Sequence, residues 1–82
     1  MRRVVYSKEA VRTLRRMPSN TANLIIAKID QYATDTTSLG NNVKRLQGRP
    51  ELRLRVGDWR VIFQEDPVRV SILSIAARSA AY

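Results

Sequence analysis

Leu52-Arg53-Leu54-Arg55-Val56-Gly57-Asp58-Trp59-Arg60-Val61-Ile62-Phe63-Gln64 is the stretch whose reading decides the fold. Two alternating runs flank Gly57-Asp58, and a glycine-led pair between β-prone residues signals a two-residue hairpin. That turn fixes a register, with Val56 opposite Trp59, Arg55 opposite Arg60, Leu54 opposite Val61 and Arg53 opposite Ile62. Side chains alternate across a sheet, and directly opposed residues share a face. Leu52, Leu54, Val56, Trp59, Val61 and Phe63 therefore point one way, towards a core, and Arg53, Arg55 and Arg60 point the other.

Like charges placed opposite each other destabilise a sheet, so a fold alone does not select this pattern. A solvated outer face is the plain alternative, since antiparallel sheets tolerate charge there and arginine stems cover apolar surface. Mixed signs, or Lys, Thr and Glu, would serve that purpose equally well. Three arginines with no carboxylate on the same face favour an anion-binding surface, because the guanidinium fork matches phosphate oxygens in geometry and charge.

The bulk composition agrees. Fifteen Lys and Arg against seven Asp and Glu give a formal net charge of +8 over 82 residues. So basic a balance on so short a chain favours an anionic partner, nucleic acid before acidic protein. The length suits one domain with a modest core, spanning residues 1–82. The sequence has no cysteine and no histidine. Disulfides, thiolate or imidazole metal sites and Cys-His or Ser-His-Asp mechanisms are thereby excluded, and no cofactor or metal is expected. No apolar run has the length of a membrane span, and the basic amino terminus lacks a signal-peptide core, so the expected location is the cytoplasm.

Taken in order, Arg2 to Tyr6 reads as a first strand. Ser7 is a candidate N-cap for a helix over Lys8 to Met17, with Ala10, Val11, Leu14 and Met17 at helical spacing and Pro18 as the stop. The other face of that helix carries Lys8, Arg12, Arg15 and Arg16, read first as a solvated face and second as a contact for nucleic-acid backbone. Ser19 is expected to cap a second helix to about Thr34, whose apolar stripe is Ala22, Ile25, Ile26, Ile29, Tyr32 and Ala33. Asp35 to Pro50 reads as a connection, anchored by Val43 and Leu46. Lys44, Arg45 and Arg49 extend the basic surface from it and are candidate RNA-binding residues. Beyond the hairpin, Glu65-Asp66-Pro67 makes a turn and Val68 to Ala76 another strand, apolar on both sides near its end. The expected fold is α+β: two N-terminal helices on one face of a small, mainly antiparallel sheet, in the order β-α-α-β-β-β.

Lys44-Arg45-Leu46-Gln47-Gly48, the Leu52 to Phe63 hairpin and a terminal Arg78 with Tyr82 four residues later resemble the RelE side of the RelE/ParE toxin superfamily. The likeness covers the whole chain in length and element order, and its specificity lies in the hairpin and the terminal pair. It implies the toxin of a bacterial toxin–antitoxin pair that cleaves messenger RNA in the ribosomal A site, through attack of a substrate 2′-hydroxyl on the adjacent phosphate. By position, the implied catalytic set is Arg53, Arg55, Arg60, Arg78 and Tyr82. Fixed positive charge at the first three would stabilise the phosphorane, and Tyr82 would stack on a base or align the attacking sugar. The implied partners are a cognate antitoxin, acidic or amphipathic, together with the ribosome and messenger RNA.

One departure bears on mechanism. Members of the family often carry lysine where Arg53 and Arg55 stand, and arginine does not give up its proton to act as a base. Proton transfer then falls to ribosome and substrate, or catalysis rests on positioning and electrostatics, or the nuclease is weak. Two other functions fit the same residues. The ParE branch shares the fold and poisons DNA gyrase, a task that needs no phosphate clamp. A non-catalytic RNA-binding domain would use the same arginine face without turnover.

Overall fold

The computed structural model describes residues 2–77. Two helices cover one face of a five-stranded sheet, ordered β1-β5-β4-β3-β2. The elements are β1 (Arg3–Tyr6), α1 (Lys8–Arg16), α2 (Ser19–Thr34), β2 (Val43–Arg45), β3 (Leu52–Val56), β4 (Trp59–Glu65) and β5 (Arg69–Ala77). The α+β arrangement is the one expected, with one strand more. Val43–Arg45, expected to be part of a connection, pairs antiparallel with β3 as an edge strand. Only β1 runs parallel to its neighbour, with Val4 beside Val70 and Tyr6 beside Ile72.

The hairpin has the register that its turn dictates. Val56 lies opposite Trp59, Arg55 opposite Arg60, Leu54 opposite Val61, Arg53 opposite Ile62 and Leu52 opposite Phe63. Gly57 has φ +57, and no non-glycine residue described has a positive φ. A positive φ at the first central residue alone is the type II′ pattern, whose twist matches that of the flanking strands.

The core lies between the helices and one face of the sheet. Ala22, Ile25, Ile29, Tyr32 and Ala33 of α2 are buried, while Ile26 at the margin of the stripe is only half-buried. They meet Leu52, Leu54, Val56, Val61, Phe63, Val70, Ile72 and Ile75 from the sheet. The Tyr32 and Phe63 rings meet edge to face with centroids 5.2 Å apart. At its rim, Glu65 accepts hydrogen bonds from the Tyr32 hydroxyl at 2.7 Å and from the Arg2 guanidinium. Burial first, and then the bond to Glu65, pushes the Tyr32 hydroxyl up to about 12. It is a donor at every physiological pH, tying the end of α2 to β4.

Helix starts differ from one another. Ser7 is the N-cap of α1: its Oγ accepts from the Ala10 amide at 3.0 Å and donates to the Leu73 carbonyl at 2.7 Å. Leu73 is the residue left unopposed where the β4–β5 register shifts, between Ile62 opposite Ser74 and Phe63 opposite Ile72. One hydroxyl thus starts a helix and satisfies a bulge carbonyl. The second helix corrects an expectation. Pro18 occupies its N-cap with no side-chain bond, and Ser19 is already helical. Proline fixes the extended approach by its ring rather than by a capping oxygen.

No helix among the described residues is long and apolar enough to cross a membrane. Ser7→Ala is expected to lower stability by about 1–2 kcal/mol in urea unfolding. The exposed Ser19→Ala is expected to stay within about 0.5 kcal/mol of the native chain.

Candidate phosphate-binding face

Parity along the strands assigns each basic side chain to a face. Leu54 and Val56 are buried under the helices, so Arg53 and Arg55 between them lie on the sheet's other face. Lys44 is directly opposite Arg53 in the β2–β3 ladder and shares its face. Arg55 and Lys44 are exposed, and Arg53 is half-buried. The row Lys44, Arg53, Ile62, Ser74 therefore crosses four strands beside the row Arg55, Arg60, Ala76. At the far end, Arg3 and Arg69 are neighbours in the parallel pair, both exposed and on the same face. These two were not singled out from the sequence. Their alternation with buried Val70 was legible, but the pairing of the first strand with the last was not.

Arg60 departs from the expected open position. It is only 8% exposed, and among the described residues it is the buried charged side chain. Its Nη1 donates to the Trp59 carbonyl at 3.1 Å and the Gly57 carbonyl at 3.3 Å. The guanidinium folds back onto the hairpin turn, where carbonyl dipoles offset its charge, instead of standing beside Arg55 in water. It braces the turn from which Arg55 projects.

Arg45 and Arg49 are placed apart from the arginine face. Arg45 is opposite Leu52 and so turns towards the helix side, where its charge acts on Tyr32 and its Nη1 donates to the Pro50 carbonyl at 3.1 Å. Arg49 is paired with Glu51 at 2.9 Å. Of the three loop cations, Lys44 alone is brought to the arginine face. Arg78 and Tyr82 lie outside the described residues. Among those described, no group of three or more Asp and Glu gathers to hold a metal ion.

The model of the ParE toxin of type II toxin–antitoxin systems matches residues 4–82. The chain belongs to that family. This ParE-family toxin has the fold of solved RelE structures, as a member of the wider RelE/ParE superfamily. It is similar to a chain of the archaeal RelE–RelB complex from Pyrococcus horikoshii, at 24% identity and TM-score 0.80 over 98% of both chains. The intact RelBE toxin–antitoxin complex of E. coli gives 18% identity and TM-score 0.72 over 94% of this chain and 96% of the other. YafQ from E. coli gives 12% identity and TM-score 0.66 over 100% and 99%. No curated protein matches the toxin.

The two opposed arginines are expected to separate in their effect on folding. Arg60→Ala removes the side-chain bonds that the Gly57 and Trp59 carbonyls accept among the described residues and empties a buried volume. Its expected cost is about 1–3 kcal/mol in denaturant unfolding. Arg55→Ala is expected to change stability by less than about 0.5 kcal/mol, or to raise it by relieving repulsion.

Proposed function

We propose that this toxin inhibits translation by cutting messenger RNA in the ribosomal A site, with Lys44, Arg53 and Arg55 holding the scissile phosphate. The observation that carries the reading is the concentration of these cations on one open face of a rigid sheet. Arg55 and Lys44 have no carboxylate bonded to them among the described residues. A surface evolved only for solubility has no use for like charges in opposed register. A surface that must hold a phosphorane does, because fixed cations already in place stabilise developing negative charge without reorganising.

In this reaction the ribose 2′-oxygen forms a bond to the adjacent phosphorus and loses its proton. The bond from phosphorus to the 5′-oxygen breaks, and that oxygen takes up a proton, leaving a 2′,3′-cyclic phosphate and a 5′-hydroxyl. Arg53 and Arg55 stay protonated throughout, so they act as a clamp and not as bases. Proton transfer passes through the substrate and ribosome. Arg60 is a positioning residue, holding the turn and thereby Arg55. Arg78 and Tyr82 complete the site by the resemblance of the terminal motif, with Tyr82 stacking on a base. Toxins of solved RelE–RelB complexes are held by an antitoxin. An acidic antitoxin fits the net charge of +8 here. The setting for all of this is the cytoplasm.

The matching family model bears the ParE name, and this favours a second reading, that the chain poisons DNA gyrase. One experiment separates them. Programmed ribosomes with an empty A site are incubated with the native chain, Arg55→Ala and Lys44→Ala, beside a gyrase supercoiling assay. Ribosome-dependent cuts are expected, with Arg55→Ala slower by on the order of 10² to 10³. Intact messenger with inhibited gyrase would reject the nuclease reading.

A further inference from the structure

The helix side of the molecule holds a second concentration of charge. A cleft of about 480 Å³ is lined by Tyr6, Lys8, Val11, Arg12, Arg15 and Arg16. Tyr6 is opposite buried Ile72 and so points to the helix side, away from Arg55. Lys8, Arg12, Arg15 and Arg16 are exposed, with no ion pair or side-chain hydrogen bond among the described residues. Arg15 and Arg16 sit in the last turn of α1, where the helix dipole favours them; Lys8 at its start has no such reason. Glu9, in the same first turn, is not part of the lining.

The second observation is a polar atom with nothing to bind. Tyr6 lines this cleft, and its hydroxyl is buried with no hydrogen-bond partner among the described residues. Leaving such a group unsatisfied is costly, and an incoming acceptor would remove the cost. Burial first, and the Asp30 charge second, raise the hydroxyl above the ordinary tyrosine range, so it acts as a donor.

We propose that this cleft is a second RNA-binding site, taking backbone phosphates of an RNA segment distinct from the strand held at Arg55. It rests on the proposed function only in choosing RNA as the polyanion. Lys8, Arg12 and Arg16 recur every four residues, so the charges step about 6 Å at a time along the helix. That is a track for a chain of phosphates, not a pocket for one ion. An acidic protein segment is disfavoured because Val11 is the only aliphatic side chain among the described residues of the lining, too little for an amphipathic helix to bury. Arginine forks and a tyrosine hydroxyl supply charge and hydrogen bonds without reading bases, as backbone binding requires.

The test is the salt dependence of binding, by fluorescence anisotropy, of a short 2′-O-methyl oligoribonucleotide that cannot be cleaved. The native chain is compared with the Lys8→Ala/Arg12→Gln/Arg16→Gln triple variant, Tyr6→Phe, and Lys28→Ala as a control cation outside the cleft. The triple variant is expected to lower the slope of log K against log salt by about 2, at roughly 0.7 per single-strand phosphate contact. Tyr6→Phe is expected to weaken binding by about tenfold. An unchanged slope in the triple variant with unchanged affinity in Tyr6→Phe overturns the proposal. So does tighter binding at this cleft of a polyglutamate peptide or of ATP than of the oligonucleotide. Because the readout is binding, absence of ribosomal cleavage would defeat the nuclease reading and leave this site standing.

Discussion

The structure depends on the two-residue turn at Gly57-Asp58. Its left-handed glycine sets which residue of β3 faces which residue of β4. A slip of β3 by one residue would send Arg53 and Arg55 under the helices and Leu54 and Val56 into water. A Cβ on Gly57 would meet no atom within 4 Å, so glycine is needed there for its φ and not for space. The energetic weight of that choice is about 1–2 kcal/mol. The larger consequence is geometric, because the arginines of β3 and β4 inherit their register from this turn.

That register carries a built-in conflict. Arg55 opposes Arg60, and Lys44 opposes Arg53, on the same side of the sheet. The molecule resolves half of it within itself, by laying Arg60 on the carbonyls of its own turn. Lys44 and Arg55 remain in solvent, where water and salt screen them. A phosphate bound between them would replace repulsion with two attractions, so binding and folding would stabilise each other. The helices, the Tyr32–Glu65–Arg2 tie and the Ser7 cap supply the rigidity that keeps these charges in place.

The hairpin, both helices and the core were legible because they rest on local signals: period-two alternation, a glycine-led turn and a 3.6-residue stripe. The edge strand Val43–Arg45 was not, since three residues carry no measurable period and its polar sequence looks like loop. Its effect is to bring Lys44 beside Arg53 while turning Arg45 away. The burial of Arg60 was illegible for another reason. Alternation fixes the face from which a side chain starts, whereas the rotamer that returns it to the turn carbonyls depends on tertiary surroundings. Arg3 and Arg69 meet through a pairing between chain positions far apart, which no short pattern encodes. Capping by Pro18 instead of Ser19 shows that an approach fixed by a proline ring can stand in for a capping oxygen.

The central claim is that a cationic face cuts RNA through the substrate's own 2′-hydroxyl. The most direct measurement places a single 2′-deoxynucleotide at the cleaved position of a messenger in the ribosomal A site. The account predicts that this messenger survives while its all-ribose twin is cut, giving a 2′,3′-cyclic phosphate and a 5′-hydroxyl. Cleavage of both messengers at equal rates, or ends bearing a 5′-phosphate, would contradict it.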